Sequence, residues 1–179
     1  YDIQYLRWAL NFTPAATWNA HDAPDRRGMT QIRHVEGLHR VMREVLRRNP
    51  NLLLESCAGG GGRVDLASMQ DSHAFWMTNH SSDPHVVRHF LGGANHIVPS
   101  SYSVVQFELP VWWKKEFEYP DIMFQSYFGG TFGISTRITE WPAPMRAQAK
   151  KHIQVYKQLR QYLVEDYYRL TPAALDLAG

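Results

Sequence analysis

Leu52-Leu53-Leu54-Glu55-Ser56-Cys57-Ala58-Gly59-Gly60-Gly61-Gly62-Arg63-Val64-Asp65 is the stretch that decides the fold. Leu52 to Leu54 is a short continuous apolar run, the pattern of a strand buried on both faces. Four glycines follow, which places a loop at the C-terminal end of that strand. Their backbone can approach a ligand closely, and bare N–H groups there can bind oxyanions or sugar hydroxyls. Upstream, Ile32, Val35, Leu38, Met42, Val45 and Leu46 recur at helical spacing, so Thr30 to Arg48 is predicted to be an amphipathic helix. Asn49-Pro50 ends it. Helix, buried strand and loop in this order predict an α/β fold with a parallel sheet.

The same alternation extends in both directions. Tyr1 to Asn11 reads as a strand, with Ile3, Tyr5, Arg7, Ala9 and Asn11 on one face and Leu6, Trp8 and Leu10 on the other. Phe12 to Gly28 reads as a polar loop, punctuated by Pro14, Asn19, Pro24 and Gly28. His73 to Thr78 is predicted as a strand, Pro84 to Leu91 as a helix with Pro84 in its first turn, and His96 to Val98 as a further brief strand. Gly130 to Thr136 is predicted as the last strand. Pro142 to Tyr168 is predicted as one long helix, with Met145, Ala149, Ile153, Tyr156, Leu159 and Leu163 on its apolar stripe.

Composition removes several classes. A single cysteine, Cys57, excludes a disulfide scaffold and a multi-cysteine zinc site. A net charge of +2 gives no broad basic surface, so no nucleic-acid partner is expected. No apolar run reaches the ~18 residues of a transmembrane helix, so no membrane partner is expected either. The sequence opens at Tyr1 without a basic region followed by an apolar stretch, and it is read as lacking its true start. A cytoplasmic location is the expectation.

The glycine stretch does not read as a nucleotide loop. A phosphate loop needs Lys-Ser or Lys-Thr after its last glycine, and Arg63-Val64 stands there. A nucleotide-binding α/β protein is retained only as the weakest alternative. His85 and His89 are spaced as a ligand pair on a helix, and His80 is near, but no cysteine or H-E-x-x-H supports them; no metal and no cofactor are expected. Of the six tryptophans, Trp18, Trp112, Trp113 and Trp141 read as core; Trp8 and Trp76, at the polar ends of predicted strands, read as stacking surfaces for sugar rings.

Six blocks occur in order: Tyr5-Leu6-Arg7-Trp8-Ala9-Leu10-Asn11; Asp25-Arg26-Arg27-Gly28; Glu55 to Asp65; Phe75-Trp76-Met77-Thr78-Asn79; Gly129-Gly130-Thr131-Phe132-Gly133; and Tyr167-Tyr168-Arg169-Leu170. The series resembles glycoside hydrolase family 36, the microbial and plant α-galactosidase (melibiase) group, over nearly the whole chain. The resemblance implies a (β/α)8 barrel that hydrolyses terminal α-galactosides with retention. In that scheme one carboxylate is the nucleophile and a second, about 5 Å away, protonates the leaving oxygen. Such sites lie at the C-terminal ends of barrel strands. It further implies an oligosaccharide or glycoside partner and a homo-oligomeric parent protein.

Carried over residue by residue, the resemblance puts Ala9 at the nucleophile position and Asn79 at the acid/base position. Both family aspartates are therefore replaced. Trp8 and Asn11 match the blocks around the first, Trp76 and Thr78 those around the second. Arg7 stands where the family has lysine. Substrate-binding roles fall on Arg7, Trp8, Asn11, Cys57, Gly59, Gly60, Gly61, Arg63, Asp65 and Trp76. A methyl group cannot attack an anomeric carbon, and a neutral amide cannot deliver a proton as a carboxylic acid does. Three accounts stand open: substitutions that trap substrate, a branch that is non-hydrolytic or altered in mechanism, or catalysis taken over by Asp83, Glu55 or Asp22. The readings that compete are a galactoside hydrolase and a carbohydrate-binding pseudoenzyme.

A barrel of about 250 residues allots about 31 to each βα unit. Five predicted strands, around Arg7, Leu54, Trp76, Ile97 and Phe132, account for about 155 residues. The resemblance makes them strands four to eight. Residues 1–170 are then the C-terminal part of the barrel, and 171–179 the start of a link to a β-domain. Five strands leave two open edges, so the chain alone is expected not to fold stably.

Overall fold

A computed structural model of the chain describes residues 2–11, 14–108 and 121–170. They form two compact units, Tyr1–His73 and Ala74–Gly179. Trp112, Trp113 and the expected boundary at residue 171 lie outside the described residues.

The first unit contains β1 (Tyr5–Ala9), α1 (Ala15–His21), α2 (Met29–Arg48), β2 (Leu53–Cys57) and α3 (Leu66–Gln70). β1 and β2 are parallel, with Arg7 opposite Glu55 and Ala9 opposite Cys57. A parallel pair needs a crossover, and α2 supplies it. The helix starts at Gly28, whose φ of 94° only glycine adopts without strain. Its cap comes from upstream: the Asp22 carboxylate accepts from Gly28 N at 2.7 Å, Thr30 N at 3.1 Å and Thr30 Oγ1 at 2.6 Å. Asp22 thus satisfies amides that the first helical turn leaves open.

The Thr30 hydroxyl, followed by the Gly28 and Thr30 amides, holds the Asp22 carboxyl below the usual carboxylate range. A depressed folded-state pKa contributes stability at pH above that range, and the contribution is lost as pH falls through it. Asp22→Ala in the full-length protein is expected to lower hydrogen-exchange protection of the first turn of α2 at pH 7. The residual protection should then respond less to acid than in the parent. Unchanged protection at pH 7 would remove Asp22 as the cap.

Three expectations for this unit are corrected. The predicted loop from Phe12 to Gly28 contains α1, begun at Pro14 and closed at Asp22, whose N–H bonds Trp18 O at 3.1 Å. The apolar stripe of α2 is covered only along part of its length. Met42 and His39 are buried, whereas Ile32 is 50% exposed and Val35 43%. The covered part is tied by polar groups: His39 Nδ1 lies 2.7 Å from Asp71 Oδ2, and Arg43 Nε donates to Asp71 Oδ1 at 2.8 Å. Finally, the buried strand runs Leu53–Cys57, one register later than the apolar triplet. Leu53 faces out at 50% exposure, while Glu55 and Ser56 are buried.

The second unit contains β3 (Ala74–Trp76), α4 (Pro84–Ala94), β4 (Ser103–Phe107), α5 (Asp121–Gln125), β5 (Thr131–Ile134) and α6 (Ala143–Leu159). β3 pairs with β4 and β4 with β5, all parallel. Strand–helix alternation with parallel pairing is the α/β pattern of a partial (β/α)8 barrel. α4 starts as expected, with Pro84 in its first turn and Asp83 Oδ1 accepting from His85 N at 2.8 Å. The core of this unit is aromatic. Phe107 stacks on Phe124 at 4.6 Å between centroids and meets Tyr127 and Trp141 edge-on at 5.4 and 5.8 Å. Gly130 lets β5 approach β4, since a Cβ there would sit 2.3 Å from Ser103 O.

The strand expected at His96–Val98 is instead the turn that closes α4. The amides of Ile97 and Val98 both bond Ala94 O at 2.8 Å, and Ile97 is 57% exposed. The real strand, Ser103–Phe107, alternates buried and half-buried residues. The long helix stops at Leu159, followed by a 3-10 turn over Arg160–Tyr162, so its predicted extension to Tyr168 is not helical. No helix among the described residues is long and apolar enough to cross a membrane.

Candidate functional site

In the first unit, side chains alternate along β1, so Tyr5, Arg7 and Ala9 share one face. Register then selects their neighbours on β2. Arg7 Nε lies 3.3 Å from Glu55 Oε1, and its Nη2 donates to Cys57 Sγ at 3.2 Å. The Tyr5 hydroxyl donates to Glu55 Oε2. Glu55 is 4% exposed, and a carboxylate so buried needs both partners. Burial, reinforced by the bond to Glu55, raises the pKa of the Tyr5 phenol. Ala9 ends the row opposite Cys57, presenting a methyl group beside the buried thiol.

The glycine loop continues from Cys57. Asn11 Oδ1 accepts from Gly59 N at 2.9 Å, which ties the end of β1 to the loop. Gly59 and Gly60 have φ of 60° and 94°, the left-handed region. That turn lets Ala58 N bond Gly60 O at 3.1 Å and Gly62 N bond Ala58 O at 3.2 Å. Arg63 folds back, donating to Cys57 O and, at 3.4 Å, to Trp8 O. Burial lowers the Arg63 pKa. Its guanidinium thus clamps the carbonyl ends of β1 and β2.

Asp65 stands apart from this group. Its Oδ1 accepts from Ser68 N and its Oδ2 from Ser68 Oγ, each at 2.9 Å, capping α3. That carboxylate also occupies the helix end a phosphate would use, which argues against the nucleotide alternative. The first unit therefore brings together Arg7, Ala9, Asn11, Cys57, Gly59 to Gly61, Arg63 and the Trp8 carbonyl.

Trp76 and Asn79 belong to the second unit. Trp76 is 7% exposed, and its Nε1 donates to Asn79 Oδ1 at 2.9 Å. The indole is thus a buried support rather than an open stacking surface. The loop after it is held at several points. His80 N bonds Thr78 Oγ1 at 3.0 Å, Ser81 Oγ donates to Thr78 O at 3.2 Å, and the buried Tyr127 hydroxyl donates to Ser81 O.

The three carboxylates considered as replacements are all engaged. Asp22 caps α2, Asp83 caps α4, and Glu55 holds Tyr5 and Arg7. Among the described residues, no group of three or more His, Cys, Asp or Glu is arranged to hold a metal ion. Two supports escaped the sequence reading. Glu55 was legible in part, because parallel strands at this register put it beside Arg7. Tyr127 carried no local signal, since its partner lies 46 positions away.

Comparison with known proteins bears on the family and the fold. A family model described as Melibiase matches residues 1–165. α-Galactosidase AgaA of Geobacillus stearothermophilus is 34% identical over 79 residues, 44% of this chain and 11% of that protein. The galactosidase domain of the α-galactosidase–sucrose kinase AgaSK superposes with a TM-score of 0.78 at 24% identity, over 98% of this chain and 23% of that one. An AgaA variant solved in complex with stachyose gives 0.76 at 26% identity, and another in complex with raffinose 0.73 at 25%, each over 90% of this chain and 23% of theirs. The chain thus spans less than a quarter of the length of these relatives. Matched by the family model from residue 1 to 165 and sharing the fold of these α-galactosidases, the chain belongs to the Melibiase family of glycoside hydrolases.

Proposed function

We propose that this protein binds terminal α-galactosides without hydrolysing them. One observation carries the reading. The AgaA variant in complex with stachyose has an aspartate replaced by alanine, and the one in complex with raffinose has an aspartate replaced by asparagine; both also carry an alanine-to-glutamate change. Those two aspartates are separated by the same number of residues as Ala9 and Asn79. The replacing residues are also the same, alanine first and asparagine second. The spacing supports placing Ala9 and Asn79 at the two catalytic positions of a retaining galactosidase.

The chemistry follows from the side chains. Retaining hydrolysis needs a carboxylate to form the glycosyl–enzyme bond and a carboxylic acid to protonate the departing oxygen. Ala9 has no lone pair to offer, and the Asn79 amide has no acidic proton. Asp22, Asp83 and Glu55 are held by helix caps and by an ion pair. Recognition does not depend on the lost groups. The glycine loop stays tied to Asn11 through Gly59 N, and Arg7 stays tied to Cys57 through its Nη2. Arg7 in place of lysine presents a planar fork instead of a compact ammonium, which alters how hydroxyls are met.

Titration calorimetry of the full-length protein with raffinose, with ATP as a control, tests the proposal. Raffinose is expected to bind and to be recovered intact after long incubation, while ATP gives no heat of binding. Release of galactose would show a working catalytic pair elsewhere. Absence of raffinose binding would remove the glycoside reading.

A further inference from the structure

Successive backbone amides of a paired strand point to opposite sides, so Leu53 and Leu54 of β2 need partners in different directions. Leu53 N finds a backbone carbonyl on the β1 side, Gln4 O, at 2.9 Å. Leu54 turns to the other edge, where the chain returns at His73, and His73 N donates to Leu54 O at 2.8 Å. No strand precedes His73 there, because Asp71 is still the C-cap of α3. The acceptor for the Leu54 amide comes instead from a side chain: Leu54 N donates to His73 Nδ1 at 3.2 Å. One residue thus holds both polar backbone atoms of Leu54, its N–H through an imidazole and its carbonyl through a backbone amide.

The partner decides what a proton does to this contact. A backbone N–H can only donate, so Nδ1 must offer a lone pair, and the neutral ring carries its hydrogen on Nε2. A second proton fills that lone pair and sets two donors against each other. His39 is the opposite case. Its Nδ1 lies 2.7 Å from Asp71 Oδ2, a carboxylate oxygen that accepts, so a protonated ring keeps that contact. The other charged groups on the surrounding elements are engaged elsewhere: Asp71 also with Arg43 of α2, Glu55 with Arg7 across β1 and β2, and Asp65 with Ser68 at the head of α3. His73 is exposed, so a protonated ring can turn to water without unfolding the strand.

We propose that His73 is an acid-released pin on β2: neutral, it completes the hydrogen bonding of Leu54, and on gaining a proton it lets go of the strand that carries Glu55, Cys57 and the glycine loop. Imidazole is the side chain that changes charge between about pH 5 and 8. The pin therefore holds above that range and is lost as pH falls through it. The inference goes beyond galactoside binding and does not depend on it.

Hydrogen exchange of the full-length protein at about pH 7.5 and about pH 5 tests it, read at single amides and corrected for the intrinsic exchange rate. Protection of the Leu54 amide is expected to fall about fivefold at the lower pH, the scale of one hydrogen bond, while Leu53, bonded to a backbone oxygen, holds. His73→Asn keeps an acceptor that does not titrate in this range, and is expected to remove the pH response while retaining most of the protection. His73→Ala is expected to give the low protection of Leu54 at both pH values. Leu54 protection in the parent that is the same at both pH values overturns the proposal. So does an equal fall in the parent and in His73→Asn, or a fall shared equally by Leu53 and Leu54, since each would mean that acid loosens β2 by another route.

Discussion

Restoring both carboxylates, Ala9→Asp with Asn79→Asp, is expected to convert the full-length protein into an α-galactosidase. The two single variants should divide by leaving group. Ala9→Asp alone supplies a nucleophile but no acid. It is expected to cleave nitrophenyl α-galactoside, whose phenolate departs without protonation, and to leave raffinose nearly untouched. Asn79→Asp alone supplies an acid with nothing to attack, and is expected to cleave neither. The double variant should then exceed Ala9→Asp on raffinose by about 10²- to 10⁴-fold, the usual worth of general acid catalysis. On nitrophenyl galactoside the two should differ little. The new carboxylate at position 9 would follow Arg7 on the same strand face, and a nearby guanidinium favours the ionised, nucleophilic form. The measurement is release of nitrophenol and of galactose against time. A double variant that binds raffinose but releases no galactose would mean that more than two carboxylates separate this protein from hydrolysis.

Glu55→Ala is the substitution expected to damage the first unit most. Glu55 is 4% exposed and joins Tyr5 to Arg7 across the β1–β2 pair. Its loss takes the carboxylate away from both the Tyr5 hydroxyl and the Arg7 guanidinium. Breaking a fully buried pair costs about 3–5 kcal/mol. The Arg7 side chain is 37% exposed, and solvent screens part of that, so about 2–3 kcal/mol is expected from the denaturant midpoint. Glu55→Gln should cost less, because an amide oxygen still accepts from Tyr5. Both should weaken raffinose binding by about tenfold, since Arg7 loses the charge that orients it. If Glu55→Ala unfolds at the same midpoint as the parent, the carboxylate is not holding the strand pair.

How much of this was legible in the chain depends on the range of the interaction. The helix from Met29 to Arg48 and the start of α4 follow from spacing and from Pro84, all within a few residues. The Glu55 to Asp65 block fixed the family, because strand, cysteine and glycine turn are contiguous. Errors appeared where a local pattern had two outcomes. His96-Ile97-Val98 is apolar enough for a strand, yet its amides close the preceding helix on Ala94 O. Ser103 to Phe107 carries two β-branched valines and a phenylalanine but also two polar residues, Ser103 and Gln106, and only pairing with Phe75, Trp76 and Thr131 to Ile134 makes it a strand.

The sequence by itself determined the α/β alternation, the family, and the chemical fact that Ala9 and Asn79 carry no carboxylate. Those depend on residue type and short-range order. The tertiary structure decided the duties of the remaining polar groups. Asp65, expected on the sugar, caps α3. Trp76, expected as a stacking surface, is buried and orients Asn79. Glu55, one of three candidate replacements for the lost acids, is held by Tyr5 and Arg7. The reason is the same each time. A polar side chain is assigned by the partner that comes within about 3 Å of it, and partners separated by tens of residues are set by strand register and packing, which local sequence does not encode.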